Sequence, residues 1–289
     1  MTPTNPRPSV GMAFALATTA SFAALDTLTQ LLASSATVAM MLFARYLVQS
    51  LLHLATDLPQ RGLSLFRARR PGLQVGRALA LALTNLFAVM SLQHIPVGQF
   101  TAIVMLTPMA MTLVAALFWR EQVPGLGWVL MASGFAGVLL VVRPGQGATL
   151  GWTLLLPLGT LAAGTVFQLL TARAAATDAP GTTNLWTAGI GTVLSGLAVL
   201  HGGWQPLSPG AWALLAGVAL FNATGQVCLL QAYRHARAAT VAPLLYTQLV
   251  FAALAGWWWL GQAPAALAWL GMALIAFSGI ASGHLSRRA

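Results

Sequence analysis

Ten apolar runs, each close to the ~20 residues that a helix rising ~1.5 Å per residue needs to cross a bilayer, leave this chain little choice of fold. They fall at roughly 9 to 31, 36 to 56, 76 to 94, 97 to 119, 125 to 142, 150 to 172, 183 to 202, 209 to 232, 238 to 260 and 265 to 285. The runs are continuous rather than alternating and too long for barrel strands, which excludes a β-barrel. Hydrophobic residues are 58% of the chain and charged residues 6%, too little polar surface to coat a soluble globule. The expectation is an all-α integral membrane protein with ten transmembrane helices.

The second half of the chain echoes the first. Trp119, Gln122, Pro124, Trp128, Met131 and Ala132 return as Trp259, Gln262, Pro264, Trp269, Met272 and Ala273, displaced by about 140 positions. Thr27, Gln30, Leu31 and Leu32 return as Thr165, Gln168, Leu169 and Leu170, and Leu83 and Asn85 as Leu220 and Asn222. A duplication inside a membrane chain is the pattern of a transporter built from two related bundles with a substrate site between them. The run Arg143-Pro144-Gly145-Gln146-Gly147 breaks the fifth helix and sets the expected boundary, giving repeats over 1–145 and 146–289.

All fourteen basic residues are Arg. With the N-terminus in the cytoplasm, the inner segments hold Arg7, Arg61, Arg67, Arg69, Arg70, Arg77, Arg120, Arg173, Arg234, Arg237, Arg287 and Arg288, and the outer loops hold Arg143 alone. That bias orients the chain with both termini cytoplasmic in a bacterial-type inner membrane. It also accounts for the formal charge of +10 without a nucleic-acid partner. Five helices per half is an odd number, so the second repeat starts on the opposite side and the repeats are inverted. The first run is full length and the second follows almost at once, so it reads as a retained helix rather than a cleaved signal. Between Asp57 and Gly76 the apolar Leu63, Leu65 and Phe66 stand among arginines, which suits either a segment resting on anionic headgroups or a solvated basic loop.

The chain has four acids, and Asp26 alone lies well inside a span. An ionisable group there costs roughly 2.5 to 3.5 kcal/mol on insertion scales, so it needs a partner or a wet cavity. Arg45 in the second helix is the candidate partner, roughly 6 Å different in depth at ~1.5 Å per residue. The pair reads either as an ion pair fixing the two helices or as a substrate-binding pair, with Asp26 holding a substrate ammonium or exchanging a proton. Thr19, Phe22, Asp26 and Gln30 share a face of helix 1, and Gly164 and Gln168 share the equivalent face of helix 6. Asn85, Asn222, Gln226, Tyr246 and Gln248 complete the candidate substrate-binding set; each also reads as interhelical glue. Pro108, Pro243, Gly159 and Gly164 are candidate hinges, against the plainer reading of packing and static kinks. Most of the ten tryptophans lie near span ends, as an interfacial belt requires.

No phosphate-binding loop, no zinc-protease signature, no paired intramembrane carboxylates and no His/Cys cluster occur, so nucleotide hydrolysis, intramembrane catalysis, a metal and a cofactor are not expected. The single cysteine, Cys228, forms no intramolecular disulfide. A lipid scramblase or a non-transport membrane subunit is the competing reading from another class.

The residues also resemble the drug/metabolite transporter superfamily in its EamA-type permease branch. The resemblance rests on Ile95-Pro96-Val97-Gly98, Pro108, Arg120-Glu121, Gly134 to Gly137 and Arg143-Pro144-Gly145 in one half. In the other it rests on Ala239, Val241-Ala242-Pro243, Tyr246 and Gly261-Gln262-x-Pro264, with Phe22 to Asp26 and Arg45 beside them. Two positions depart from the pattern: Gln262 stands where such permeases usually carry Glu, and Gln30 where they often carry Lys. The resemblance implies a central cavity lined mainly by helices 1, 3, 4, 6, 8 and 9, and alternating access. The leading expectation is export or facilitated exchange of an amino acid, with aromatic amino acids among the candidates. The alternative is uptake of a cofactor-like metabolite such as S-adenosylmethionine or riboflavin. The partners expected are a small-molecule substrate and membrane lipids; nothing in the residues sets an oligomeric state.

Overall fold

In the computed structural model, the residues described are 8–118, 125–142, 152–175, 177–236, 241 and 244–285. Among them there is no strand; every apolar run that is described is helical. The helices are α1 (Pro8–Leu32), α2 (Val38–Arg61), α3 (Pro71–Leu92), α4 (Val97–Val104), α5 (Thr107–Phe118) and α6 (Gly125–Val142) in the first half. The second half contributes α7 (Leu155–Ala175), α8 (Pro180–Ala198), α9 (Pro209–His235), α10 (Thr247–Leu260) and α11 (Ala266–Leu285).

Their ends follow from local chemistry. Thr37 caps α2 by accepting from the Met40 amide at 3.3 Å, and Ser208 caps α9 through the Ala211 amide at 3.2 Å, each meeting a donor that the first turn of a helix leaves unpaired. Pro71, Pro180 and Pro209 open their helices, where a missing N–H costs nothing. Gly261, at φ 67°, ends α10 in the left-handed conformation that favours glycine.

Among the described residues, seven helices are long and apolar enough to cross a bilayer, and two shorter apolar helices cover Val97–Met111 and Ala266–Ala281. The fourth run is not one continuous helix. It turns at Met105 and Leu106, so Pro108 falls in the first turn of α5, where it displaces no helical hydrogen bond. The ninth run is interrupted alike at Tyr246. Thr107 and Thr247, separated by the same displacement as the Trp, Gln and Pro motif, each donate to the carbonyl three residues back, Val104 and Leu244, at 2.6 Å. Pro243 and the expected boundary near Gly145 lie outside the described residues.

The principal helix contacts join the first half to the second. Helix α1 packs on α9 and α10, α2 on α8 and α9, α3 on α7 and α8, α4 on α10 and α7, α5 on α7, and α6 on α11. Exchange α1 for α7, α2 for α8, α3 for α9, the α4–α5 pair for α10, and α6 for α11, and this set of contacts maps onto itself. At the α6–α11 crossing the symmetry reaches atoms: a Cβ on Gly137 would meet the Gly271 carbonyl, and one on Gly271 the Gly137 carbonyl. Both helices therefore need glycine to touch backbone to backbone.

One apolar cluster joins α4, α5, α6, α10 and α11 around Ile103, Met109, Val138, Leu249 and Ile275. A second joins α1, α2, α3 and α9 around Leu25, Met41, Val89 and Val218. Between Asp57 and Gly76, α2 runs on to Arg61 and a short 3-10 turn covers Gly62–Phe66. Leu65 plugs into the bundle at 0% exposure beside Gly181, while Leu63 and Phe66 stay exposed. The expectation of an interfacial or solvated loop thus needs one amendment: Leu65 anchors the segment to the protein.

Candidate functional site

Polar side chains gather where α1, α2, α3, α9 and α10 meet. Asp26, half-buried on α1, accepts from Gln248 Nε2 of α10 at 3.5 Å. Arg45 is 8% exposed on α2, and one of its terminal nitrogens donates to Asn85 Oδ1 of α3 at 3.4 Å. Asn85 in turn donates to the Tyr46 hydroxyl at 2.7 Å. One turn further along α2, Gln49 accepts from Asn222 of α9 at 3.4 Å, and Asn222 is 6% exposed. The site therefore draws on both halves of the chain.

Arg45 and Asp26 are not an ion pair: no nitrogen of the Arg45 guanidinium comes within 4.0 Å of an Asp26 carboxylate oxygen. The Nε of Arg45 is buried without a hydrogen-bond partner. Burying a charge is costly unless it is paired and fully hydrogen-bonded, and each of these has a single long hydrogen bond to a neutral amide. Both side chains therefore keep hydrogen-bonding capacity that the described residues do not fill.

Tyr46 and Gln49 are site residues that the sequence reading missed. An aromatic in an apolar run reads as core, and the signal for Gln49 was its position one turn from Arg45 on the same helical face. Tyr46 stands where it does because Gly191 of α8 leaves room: a Cβ there would fall 2.5 Å from the Tyr46 ring.

The remaining expected residues are placed elsewhere. Gln30 donates to the Ile95 carbonyl at 2.8 Å and accepts from Gln262 Nε2 at 3.1 Å, while Gln262 Oε1 accepts from the Val97 amide at 3.3 Å. These contacts tie the end of α1 to the start of α4 and to the α10–α11 turn, forming a latch at one end of the bundle. Behind the latch lies a cavity of about 280 Å³ lined by Gly98, Gln99, Ala253, Gly256, Gln262 and Met272 among others, and by none of the expected substrate residues. Tyr246 is 8% exposed in the α6–α10–α11 core, its hydroxyl pressed on Gly279. Gln168 and Gln226 are exposed and away from the cluster's hydrogen bonds. Helix α7 runs unbroken through Gly159 and Gly164, which instead lie against Phe87 and Thr84 of α3.

The opposite end is held by a second polar group. Asp178, in the α7–α8 turn, accepts from the Arg69 amide at 2.7 Å and Gln74 Nε2 at 2.9 Å. Burial would raise its pKa, but the donors from Arg69, Gln74, Thr177 and Arg70 outweigh that and hold it below the usual carboxylate value. Arg77, 4% exposed, is satisfied by Thr171 at 2.8 Å, the Thr183 carbonyl at 2.9 Å and Thr187, with its guanidinium 4.7 Å above the Phe167 ring. Among the described residues no group of three His, Cys, Asp or Glu side chains is placed to hold a metal.

Comparison with known proteins agrees with this architecture. The model of the EamA-like transporter family matches twice, over residues 9–143 and 150–281. The chain is 32% identical to a riboflavin transporter of Rhizobium johnstonii over 218 residues, 75% of this chain and 72% of that one. It is 26% identical over 228 residues to the pseudopaline exporter CntI of Pseudomonas aeruginosa, covering 77% of this chain and 78% of the relative. A solved crystal structure matches 94% of this chain and 99% of its own at a TM-score of 0.64 and 17% identity, a likeness of fold alone. With two matches that together span most of its length, the chain belongs to the EamA-like transporter family and is a multi-pass membrane transporter.

Proposed function

We propose that this transporter moves a small cofactor-like metabolite of the riboflavin class by alternating access. Its two five-helix repeats, 1–145 and 146–289, lie inverted about the polar cluster in a bacterial inner membrane. Ten crossings with both termini cytoplasmic agree with the placement of the arginines, and the exchange symmetry of the helix contacts supports two equivalent halves. The observation that carries the reading is the cluster itself. Asp26 with Gln248, and Gln49 with Asn222, bring polar groups of opposite halves together inside an apolar bundle. Rocking one half against the other would break and remake these contacts while exposing the site to alternate sides.

Neutral amides and the Tyr46 hydroxyl make up most of the cluster, which suits an uncharged solute rich in donors and acceptors. The riboflavin-transporting relative supports that choice over the amino acid expected from the sequence. An amino acid remains the second reading on one observation: Asp26 and Arg45 stand apart, as the poles of a zwitterion require. Proteoliposomes loaded with unlabelled riboflavin and placed in labelled riboflavin decide between them. Saturable counterflow supports the flavin reading; no flavin counterflow, with counterflow of a labelled amino acid, replaces it by the second.

A further inference from the structure

We infer that the gap between Asp26 and Arg45 reads one edge of the substrate, an N–H donor beside a carbonyl acceptor, as in the –CO–NH–CO– edge of a cyclic imide. The inference rests on the proposed flavin-class substrate and names the part of it that is recognised. The half-buried Asp26 carboxylate has one protein donor, Gln248 at 3.5 Å, and so keeps acceptor capacity. The Arg45 guanidinium has Asn85 at 3.4 Å on one terminal nitrogen and an unpartnered buried Nε. The two groups are more than 4.0 Å apart and do not satisfy each other.

An imide supplies both missing partners from adjacent atoms of one flat ring: its N–H donates to the carboxylate while its carbonyl accepts from the guanidinium. Hydrogen bonds with one charged partner are the stronger kind. A molecule that lacks the donor leaves the carboxylate with the long Gln248 contact alone, which is how a polar site rejects near-isosteres. Asn85 engages Arg45 and is itself held by the Tyr46 hydroxyl. Asp26 on α1 and Arg45 on α2 belong to one half of the chain, whereas Gln248 on α10 belongs to the other.

The main test edits the ligand, so its outcome does not depend on the folding of a variant. Purified full-length protein is titrated by quenching of flavin fluorescence with riboflavin, with lumiflavin, which keeps the imide edge and lacks the ribityl chain, and with 3-methylriboflavin, which keeps the chain and blocks the N–H. The expected order has 3-methylriboflavin at least ~100-fold weaker than riboflavin, and lumiflavin competing with riboflavin for the same site. In Asp26→Leu, the ratio between riboflavin and 3-methylriboflavin falls towards one. Equal affinity of the wild-type protein for riboflavin and 3-methylriboflavin, with riboflavin counterflow intact, overturns this inference alone. Absence of riboflavin counterflow overturns the proposed function instead.

Discussion

Gln30 and Gln262, the two positions at which the chain departs from the permease pattern it resembles, are hydrogen-bonded to each other across the halves at 3.1 Å. The departures are thus one contact. A Lys at the first position and a Glu at the second would make an ion pair; here a neutral amide pair links the Ile95 carbonyl to the Val97 amide.

For this latch we expect a coupling of about 1 kcal/mol between Gln30→Ala and Gln262→Ala in a double-mutant cycle read by thermal unfolding in detergent. The wild-type coupling should be insensitive to salt. The joint change Gln30→Lys with Gln262→Glu should restore a coupling that weakens as salt rises, because exposed ion pairs are screened and amide pairs are not. Additive single changes would show that the two glutamines do not act together.

Gly191 and Gly189 lie two residues apart on α8 and should answer oppositely to alanine. The added methyl at 191 runs into the Tyr46 ring and should cost about 1 to 3 kcal/mol by overpacking. At 189 nothing lies within 4 Å, and alanine should be neutral or stabilising by up to about 1 kcal/mol through helix propensity. Melting temperatures of the two variants, compared with wild type, check both signs.

Stability should depend on pH through Asp178. Its folded-state pKa is depressed by the donors of Arg69, Gln74, Thr177 and Arg70 against the opposing effect of burial. Its contribution is therefore fully present above the unfolded value of about 3.9 and is lost as pH falls through the lower folded value. Asp178→Ala should melt below wild type at neutral pH, with the gap closing under acid. A gap that persists unchanged at pH 2 would mean that the carboxylate's charge plays no part.

Gln168 and Asn222 were expected to act alike, and the structure separates them. Gln168→Leu should leave the riboflavin KM within about twofold, because it replaces an exposed amide outside the cluster. Asn222→Leu should raise the KM clearly, because it strips Gln49 of its donor inside the cluster. Counterflow kinetics on the two variants test the distinction.

The contrast shows what the residues disclosed and what they hid. Hydropathy placed most of the described helices close to their limits, because the length of an apolar run is a property of the chain alone, but it did not show the interruptions of the fourth and ninth runs at Leu106 and Tyr246. The echoes between halves pair helices that the exchange symmetry of the contacts also relates. They carry no information on side chains: Asp26 on α1 enters the cluster, whereas Gln168, on the matching face of α7, is exposed. Duplication preserves the path of the backbone, while the rotation of each helix depends on what it packs against, here Gly164 on Thr84. The separation of Asp26 from Arg45 was equally out of reach, because a depth difference counted along two helices says nothing about Asn85 engaging the arginine from a third.

The central claim is that equivalent helices of the two halves run in opposite senses across the membrane. Single cysteines at His94→Cys and Arg234→Cys, in a Cys228→Ser background, mark the ends of α3 and of its counterpart α9. Labelling of whole cells with a membrane-impermeant maleimide should reach the first in intact cells and the second only after permeabilisation. Labelling of both from the same side would contradict the account.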